Sequence, residues 1–577
     1  MGVGAPAARN VKNSPCGGLA PPQPPVHFPF PNPGAILVKS WPVSDDARDR
    51  LQRLSDAPSP AERLEILEEF VAAAEVGAAI PLGPLVEHAA LEVRRATMRV
   101  VDRLMAELQS EELPAFSRWA RRGYNPFYYR WWKAWNGLSP GQLSTFDNLE
   151  VDAPRFWGLL TMHPNGFVRE AALGRLAGVD SGVEIAYLLL RVGDWVPEIQ
   201  TYAIDLLRKR LRPEWAGGFA DNLVLVMRLL ELERSNAEVL GNKIVEVLYE
   251  EDAGPALLDK IRTGRRRERR IAFSLVTNFS NAAARVAIED AARSEDDVLR
   301  TEAVKVASEH LSRDEHRALL VRLRRDPHRV VRREVARRML DHFPDEADAV
   351  LREMLFDSSA PNRQLSRFHL TRRGDWDFRK IYREALESTD PKRKLAGLHG
   401  LGDIGDKTVT ERIISFVDDE SRHLRRAALE ALAHIDPYSH TEHFYTAIGD
   451  DARDVSRAAA RALRDVGARL NGERLWSIYS SGYPGHVATN ALHAGRGLPS
   501  WRRLGFFLLA VPVTDDFETR DRLIALLEAW CDASSRLFTT PSEDDAAKIR
   551  RAFSASRERL PEDLLRRLEE ILNHKLS

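Results

Sequence analysis

The sequence predicts an all-α fold: an α–α superhelix in which helical hairpins stack one on the next. Three observations carry this reading. A helical phrase returns at a nearly fixed interval, a small residue sits at its centre, and no strand-like alternation separates the copies. Aligned on the small residue, the copies fall at Ala172, Ala203, Ala272, Ala303, Ala336, Ser366, Ala396, Ala428 and Ala459. From Ala272 onward the steps are 31, 33, 30, 30, 32 and 31 residues, and Ala172 to Ala203 is also 31. A period of this size marks a stacked supersecondary unit. The small residue has a physical reason, because helices approach to about 8–10 Å only where the contact side chains are small. Each hairpin leaves an apolar face that only the next hairpin covers, so the units form a solenoid.

Taken in order, residues 1–44 form a tail. Pro21-Pro-Gln-Pro-Pro25 and Pro29-Phe-Pro-Asn-Pro33 favour extended polyproline backbone without a core. A disordered leader is expected rather than a peptide that fills an aromatic groove. Residues 45–152 read as an N-terminal helical region. Pro60 stands near the start of one helix, where a missing N–H costs nothing. The stretch 91–101 looks like a divergent copy of the repeat, and 110–160 break the period. The repeat array is placed at 153–470. Its one wide gap, 69 residues between Ala203 and Ala272, holds two enlarged units with helices over 222–230 and 239–249. Residues 471–577 read as an irregular helical cap, with helices over 501–511, 519–531, 544–556 and 561–576. The last of these is heavily charged and suits an end unit with a polar outer face.

Within each copy an arginine usually stands three residues before the small position: Arg169, Arg269, Arg300, Arg333, Arg363, Arg393 and Arg425, with Gln200 and Ser456 in two copies. An acid precedes most copies: Asp296, Asp326, Asp357, Asp390, Asp419 and Asp451. Seven residues after the arginine position the side chain is usually apolar, with Gly400 as a departure. The phrase Asp-x-x-x-x-Val-Arg-x-x-Ala-x-x-x-Leu, as in Asp326 to Ala336 and again Asp419 to Ala428, resembles the HEAT family, in particular its short bacterial repeats. The resemblance is strong over about 160–470. It implies a HEAT-like α-solenoid used for binding, and no shared catalytic residues. It also implies that the recurrent arginine pairs with the aspartate of a neighbouring turn.

Composition narrows the rest. The net charge of −1 supplies no global pull toward nucleic acid or membrane. Cys16 and Cys531 are far apart, which excludes a disulfide framework and a cysteine zinc site and favours a reducing, cytoplasmic setting. The longest apolar run, 504–513, is half the length of a membrane span. No secretory signal is read at the N-terminus. The Ala- and Arg-rich, Lys-poor repeats suggest a GC-rich bacterial genome. No phosphate loop, nucleophile elbow or His-Glu-x-x-His occurs. His434, His440 and His443 lie close in sequence, but a Pro-containing turn separates the first from the others and no ligand spacing completes a set. No cofactor, metal or catalytic residue is predicted.

Two features point to a partner. The first is the aromatic segment 119–135, an insertion in which six of the nine residues 127–135 are aromatic. Tyr128, Trp131 and Trp135 would share one face of a helix, with Tyr129 and Trp132 on others. A helix apolar on most sides is either buried or meets a partner. A bulky plug between the N-terminal helices and the first repeat competes here with a binding surface. The second feature is arginine clustering. Arg265, Arg266 and Arg267 lead a group with only Glu268 opposing. Arg324, Arg325, Arg329 and Arg337 belong to a second group, opposed by Asp326 and Glu334. Such clusters bind acidic protein surfaces or phosphate backbones when aligned, and form a solvated, balanced face when not. The leading expectation is a non-catalytic scaffold for a protein partner. The alternative is a nucleic-acid-binding solenoid using an arginine stripe. A third reading is a HEAT-like DNA glycosylase, for which Trp157, Asp194 and Trp195 are the right residue types.

Overall fold

The computed structural model describes residues 41, 43–83, 90–122, 129–146, 149–232, 235–278, 282–481 and 485–575. Among them every regular element is helical and no strand forms. The chain divides into two compact units, Met1–Ser312 and Arg313–Ser577. The tail residues 1–40 lie outside the described residues, as does Tyr128.

The repeat is a helical hairpin, and its stacking is clearest in the second unit. Phe378–Leu386 packs on Pro391–Ile404, and Thr441–Ile448 packs on Arg453–Val466. The second helices then stack in series: Pro391–Ile404 on Arg422–Ile435, that helix on Arg453–Val466, and the last on Gly485–Gly495. The small residue marks the contact. Ala172, Ala203, Ala272, Ala303, Ser366, Ala428 and Ala459 are fully buried, and Ala336 and Ala396 nearly so.

Local chemistry sets the helix ends. Asp296, Asp390 and Asp377 accept backbone N–H groups at the starts of their helices. Pro197, Pro344 and Pro391 stand in first turns, where no N–H is needed. Gly405, at φ 64°, closes Pro391–Ile404 in the left-handed conformation.

Gly400 occupies a position where most copies have an apolar side chain, and the structure gives the reason. A Cβ there would lie 2.3 Å from the ring of Tyr382, which is fully buried in its place. Gly397 is close to backbone, with a Cβ that would lie 2.8 Å from the Leu386 nitrogen. In the copy centred on Ser366 the same position holds Leu370, which is fully buried.

Hairpin packing carries on past residue 470. Gly485–Gly495 holds Ala491, fully buried and 32 residues after Ala459. Ser500–Ala510 then packs on Phe517–Ser534 and Glu543–Ser556, and Phe517–Ser534 on Glu562–Lys575. The sequence period fades there because Trp501, Phe506, Phe507 and Trp530 fill the core in place of Leu and Ala.

In the first unit the wide gap holds the paired helices Leu223–Leu230 and Ser235–Leu248. The N-terminal region joins the array directly: Pro60–Ala73 packs on Leu91–Ala106, and that helix on Pro154–Leu160. The expected tail is docked at its end. Trp41 and Val43 are buried, with Trp41 edge-on to Phe116 at 5.2 Å and 6.2 Å from Trp119.

Candidate functional site

In the copies centred on Ala172, Ser366 and Ala428 the recurrent arginine is a strut between repeats. Arg425 donates two hydrogen bonds to Asp450, at 2.8 and 2.9 Å, and a third to the carbonyl of Asp419, six residues behind it. Arg363 repeats this with Asp403 and the Asp357 carbonyl. In the copy centred on Ala336 the strut is Arg332, not Arg333. It bonds Asp357 at 2.6 and 2.7 Å and the Asp326 carbonyl at 2.7 Å. The acid does double duty, because Asp326, Asp357, Asp419 and Asp450 each also accept the N–H two residues on. Burial pushes the Asp357 carboxyl up, but the Arg332 guanidinium, the Ser359 N–H and Asn362 together hold it below the usual carboxylate range.

In the first unit the same strut becomes a hub. Arg169 donates to Asp194 at 3.0 Å and to the carbonyls of His163 and Pro164. Arg191 reaches the other Asp194 oxygen at 2.9 Å, and Arg121 lies 3.5 Å from it. The Val196 N–H adds a fourth donor at 3.1 Å. The side chains of Arg169, Arg191 and Asp194 are buried, whereas that of Arg121 is 23% exposed. With donors on both oxygens, Asp194 is committed as a counter-ion and is poorly placed to serve as a general base. Trp157 is core, packed edge-on to Phe146 and Phe156. Trp195 stands 68% exposed above Arg169, its ring 5.7 Å from the guanidinium carbon. Of the three glycosylase-type residues, Trp157 therefore stands apart in the core, whereas Asp194 and Trp195 both contact Arg169.

The aromatic segment includes the helix Tyr129–Asn136, which packs on Ala79–Leu82. Tyr129, Trp131 and Trp132 lie on it, and their side chains are outside the description. Trp135 is fully buried. A Cβ at Gly83 would touch its ring at 3.1 Å, and the His163 ring lies 4.7 Å away. Trp135 is thus core, as in the plug reading, and is unavailable as a contact surface. His163 joins the segment to the first repeat: its Nε2–H donates to the Trp135 carbonyl at 2.7 Å and its Nδ1 accepts from the Asn165 N–H at 3.0 Å. Burial lowers its pKa, so the ring is neutral, as these two roles require.

The arginine clusters are largely neutralised. Arg265 lies 3.3 Å from Glu111, Arg324 and Arg325 share Glu353, and Arg337 is 3.6 Å from Glu334. Arg262 pairs with Asp290 and Arg317 with Glu346. Arg266, Arg267 and Arg329 are exposed and form no ion pair among the described residues.

Arg265 also lines an open cleft of about 930 Å³ in the first unit. Arg155, Arg212 and Lys260 face it together with Asp180, Glu214 and Glu268, so its lining alternates in sign. Sequence reasoning missed the cleft because its walls come from residues 105 to 268, spread over several hairpins. His440 and His443 have ring centroids 6.2 Å apart, and among the described residues no group of three His, Cys, Asp or Glu side chains is arranged to hold a metal ion. Among the described residues no helix is long and apolar enough to cross a membrane.

Residues 380–464 match the family model for HEAT repeats. No curated protein matches the chain. Among solved structures, yeast importin-beta (Kap95p) superposes at 13% identity with a TM-score of 0.28, over 92% of this chain and 67% of that one. Kap121p bound to Pho4p superposes at 10% identity with a TM-score of 0.32, over 94% and 76%. At scores this low the fold assignment rests on the hairpin packing and the family match. The segment in which the Arg–Asp struts, the buried small residues and the family match coincide, residues 380–464, is built of HEAT repeats.

Proposed function

We propose that this chain is a non-catalytic HEAT-repeat scaffold that holds a protein partner along a face of its first unit. The supporting observation is the open cleft and its lining. A small-molecule site is enclosed and mostly apolar with a few convergent polar groups. This cleft is open and charged with both signs, which suits a polar protein segment. The two widely separated cysteines favour a reducing, intracellular setting for it.

Capture of the full chain from its own host's lysate, with and without nuclease, tests this. A defined protein is expected to survive nuclease treatment and to be weakened by replacing Arg265, Arg266 and Arg267 with alanine, without change in helical circular dichroism. Capture that collapses on nuclease treatment would move the reading to nucleic acid. That reading predicts affinity falling by about 10³–10⁵ between 50 and 200 mM salt for six to ten phosphate contacts. The pairing of most cluster arginines with acids speaks against it.

A further inference from the structure

One helix of the second unit has a solvent face built mainly of arginine. On Arg453–Val466 the inner face is taken by buried residues, Val455, Ala459, Leu463 and Val466 among them. Arg453, Arg457 and Arg461 are exposed, and Arg464 is partly exposed beyond them. Side chains three or four residues apart share a helix face, so the four stand in one row. At 1.5 Å per residue the row is about 16.5 Å long. Among the described residues Arg453, Arg457 and Arg461 form no ion pair. The two acids of the helix are already engaged. Asp454 lies 3.4 Å from Arg426 of the preceding repeat, and Asp465 lies 2.9 Å from Arg464.

The following repeat lengthens the row. Arg464 lies 3.3 Å from His493 Nε2, and a Cβ at Gly497 would lie 2.3 Å from the Arg464 carbonyl oxygen. This contact brings up Arg496, which is exposed, and Arg503, which donates to the Arg496 carbonyl at 3.1 Å. Neither forms an ion pair among the described residues. Residues 474–514 contain four arginines and no carboxylate. Burial lowers the His493 pKa, and so do Arg464, Arg496, Arg461 and Arg457, whose positive field converges there. Stacking does not require the row, because like charges one turn apart on a helix repel. The preceding second helix, Arg422–Ile435, has Glu430 where this one has Arg461, and Glu430 lies 3.6 Å from Arg426.

We propose that Arg453, Arg457, Arg461 and Arg496 form a docking strip for an extended segment of a partner protein that carries carboxylates at alternate positions. Arginines four residues apart are about 6 Å apart along the helix. Side chains on one side of an extended segment recur about every 6.7 Å, so each carboxylate meets one guanidinium. Clustered arginines are a recurrent means of holding acidic segments. A protein segment is favoured over nucleic acid on two counts. Arg453–Val466 carries no aromatic residue on which a base could stack. Asp451 and Asp465 flank the row, where a longer run of phosphates would meet them. The strip lies in the second unit and goes beyond the reading of the cleft in the first.

The test is fluorescence anisotropy of two labelled peptides of one composition against the full chain. In one peptide Glu alternates with Ser; in the other the glutamates form a single block. At low ionic strength the alternating peptide is expected to bind more tightly than the block peptide. It should bind an Arg457→Gln, Arg461→Gln double variant at least tenfold more weakly than the wild type. Arg461→Glu, which copies the preceding helix, should abolish binding and raise the melting temperature. That rise separates a binding row from a structural one. No binding of the alternating peptide, equal affinity for the two peptides, equal affinity of wild type and double variant, or a lower melting temperature in Arg461→Glu overturns the proposal. So does displacement of the alternating peptide at lower concentration by a single-stranded oligonucleotide of equal charge, which would assign the row to nucleic acid. Failure here leaves the scaffold reading standing, because capture through Arg265, Arg266 and Arg267 does not involve this helix.

Discussion

At the scale of single residues, the Arg–Asp strut makes a sharp prediction. Arg332 bonds the Asp357 carboxylate twice, and Asp357 is almost fully buried, so Arg332→Ala leaves a buried anion short of two donors. The expected loss is about 2–4 kcal/mol in urea unfolding. Arg333 makes no such strut, and Arg333→Ala should cost less than about 0.5 kcal/mol. Equal losses, or the reverse order, would show that the strut does not carry the stacking. The sequence period pointed to Arg333, because counting back from Ala336 cannot tell which of two adjacent arginines faces the next turn. The partners of the clustered arginines were hidden for a related reason. Arg262, Arg317 and Arg325 find their acids 28 or 29 residues downstream, about one repeat away, where a local count of charges does not look. Glu111, the partner of Arg265, is 154 residues distant, and no pattern in the sequence links the two.

At the scale of the helix, the small residue was legible and its exception was not. All nine aligned positions are buried, as the close-approach argument required. Gly400 reads from sequence as a lapse, yet Tyr382 on the partner helix fills the space that Gly400 leaves. Gly400→Ala should therefore destabilise the fold by about 1–3 kcal/mol through overpacking, against the usual gain of about 1 kcal/mol for Ala over Gly in a helix. In a Tyr382→Leu background the same change should become neutral or stabilising. A double-mutant cycle in thermal unfolding measures this, and an interaction energy near zero would refute the pairing. The aromatic segment was half legible. Its density predicted burial or contact, and Trp135 shows burial, but which rings face inward depends on Gly83 and His163, which lie far from it in sequence.

At the scale of the whole molecule, the two compact units, Met1–Ser312 and Arg313–Ser577, predict unfolding that is not two-state. Cys531 reports on the second unit alone. Its thiol is buried, and burial pushes its pKa up to about 11, so it reacts only when that unit opens. Alkylation of Cys531 in urea, followed by mass spectrometry of its peptide, should show a midpoint displaced from that of total helical circular dichroism. Coincident midpoints would mean that the units melt together. The struts also give the chain a direction in time. Arg332 and Arg425 each brace against an aspartate 25 residues ahead. A chain made from its N-terminus at about 5–20 residues per second delivers that aspartate some 1–5 s after the arginine has emerged. During synthesis each newly made hairpin therefore waits, with an unbraced guanidinium and an uncovered apolar face, for the next to leave the ribosome. The growing end is the part of the nascent chain that a chaperone would be needed to shield.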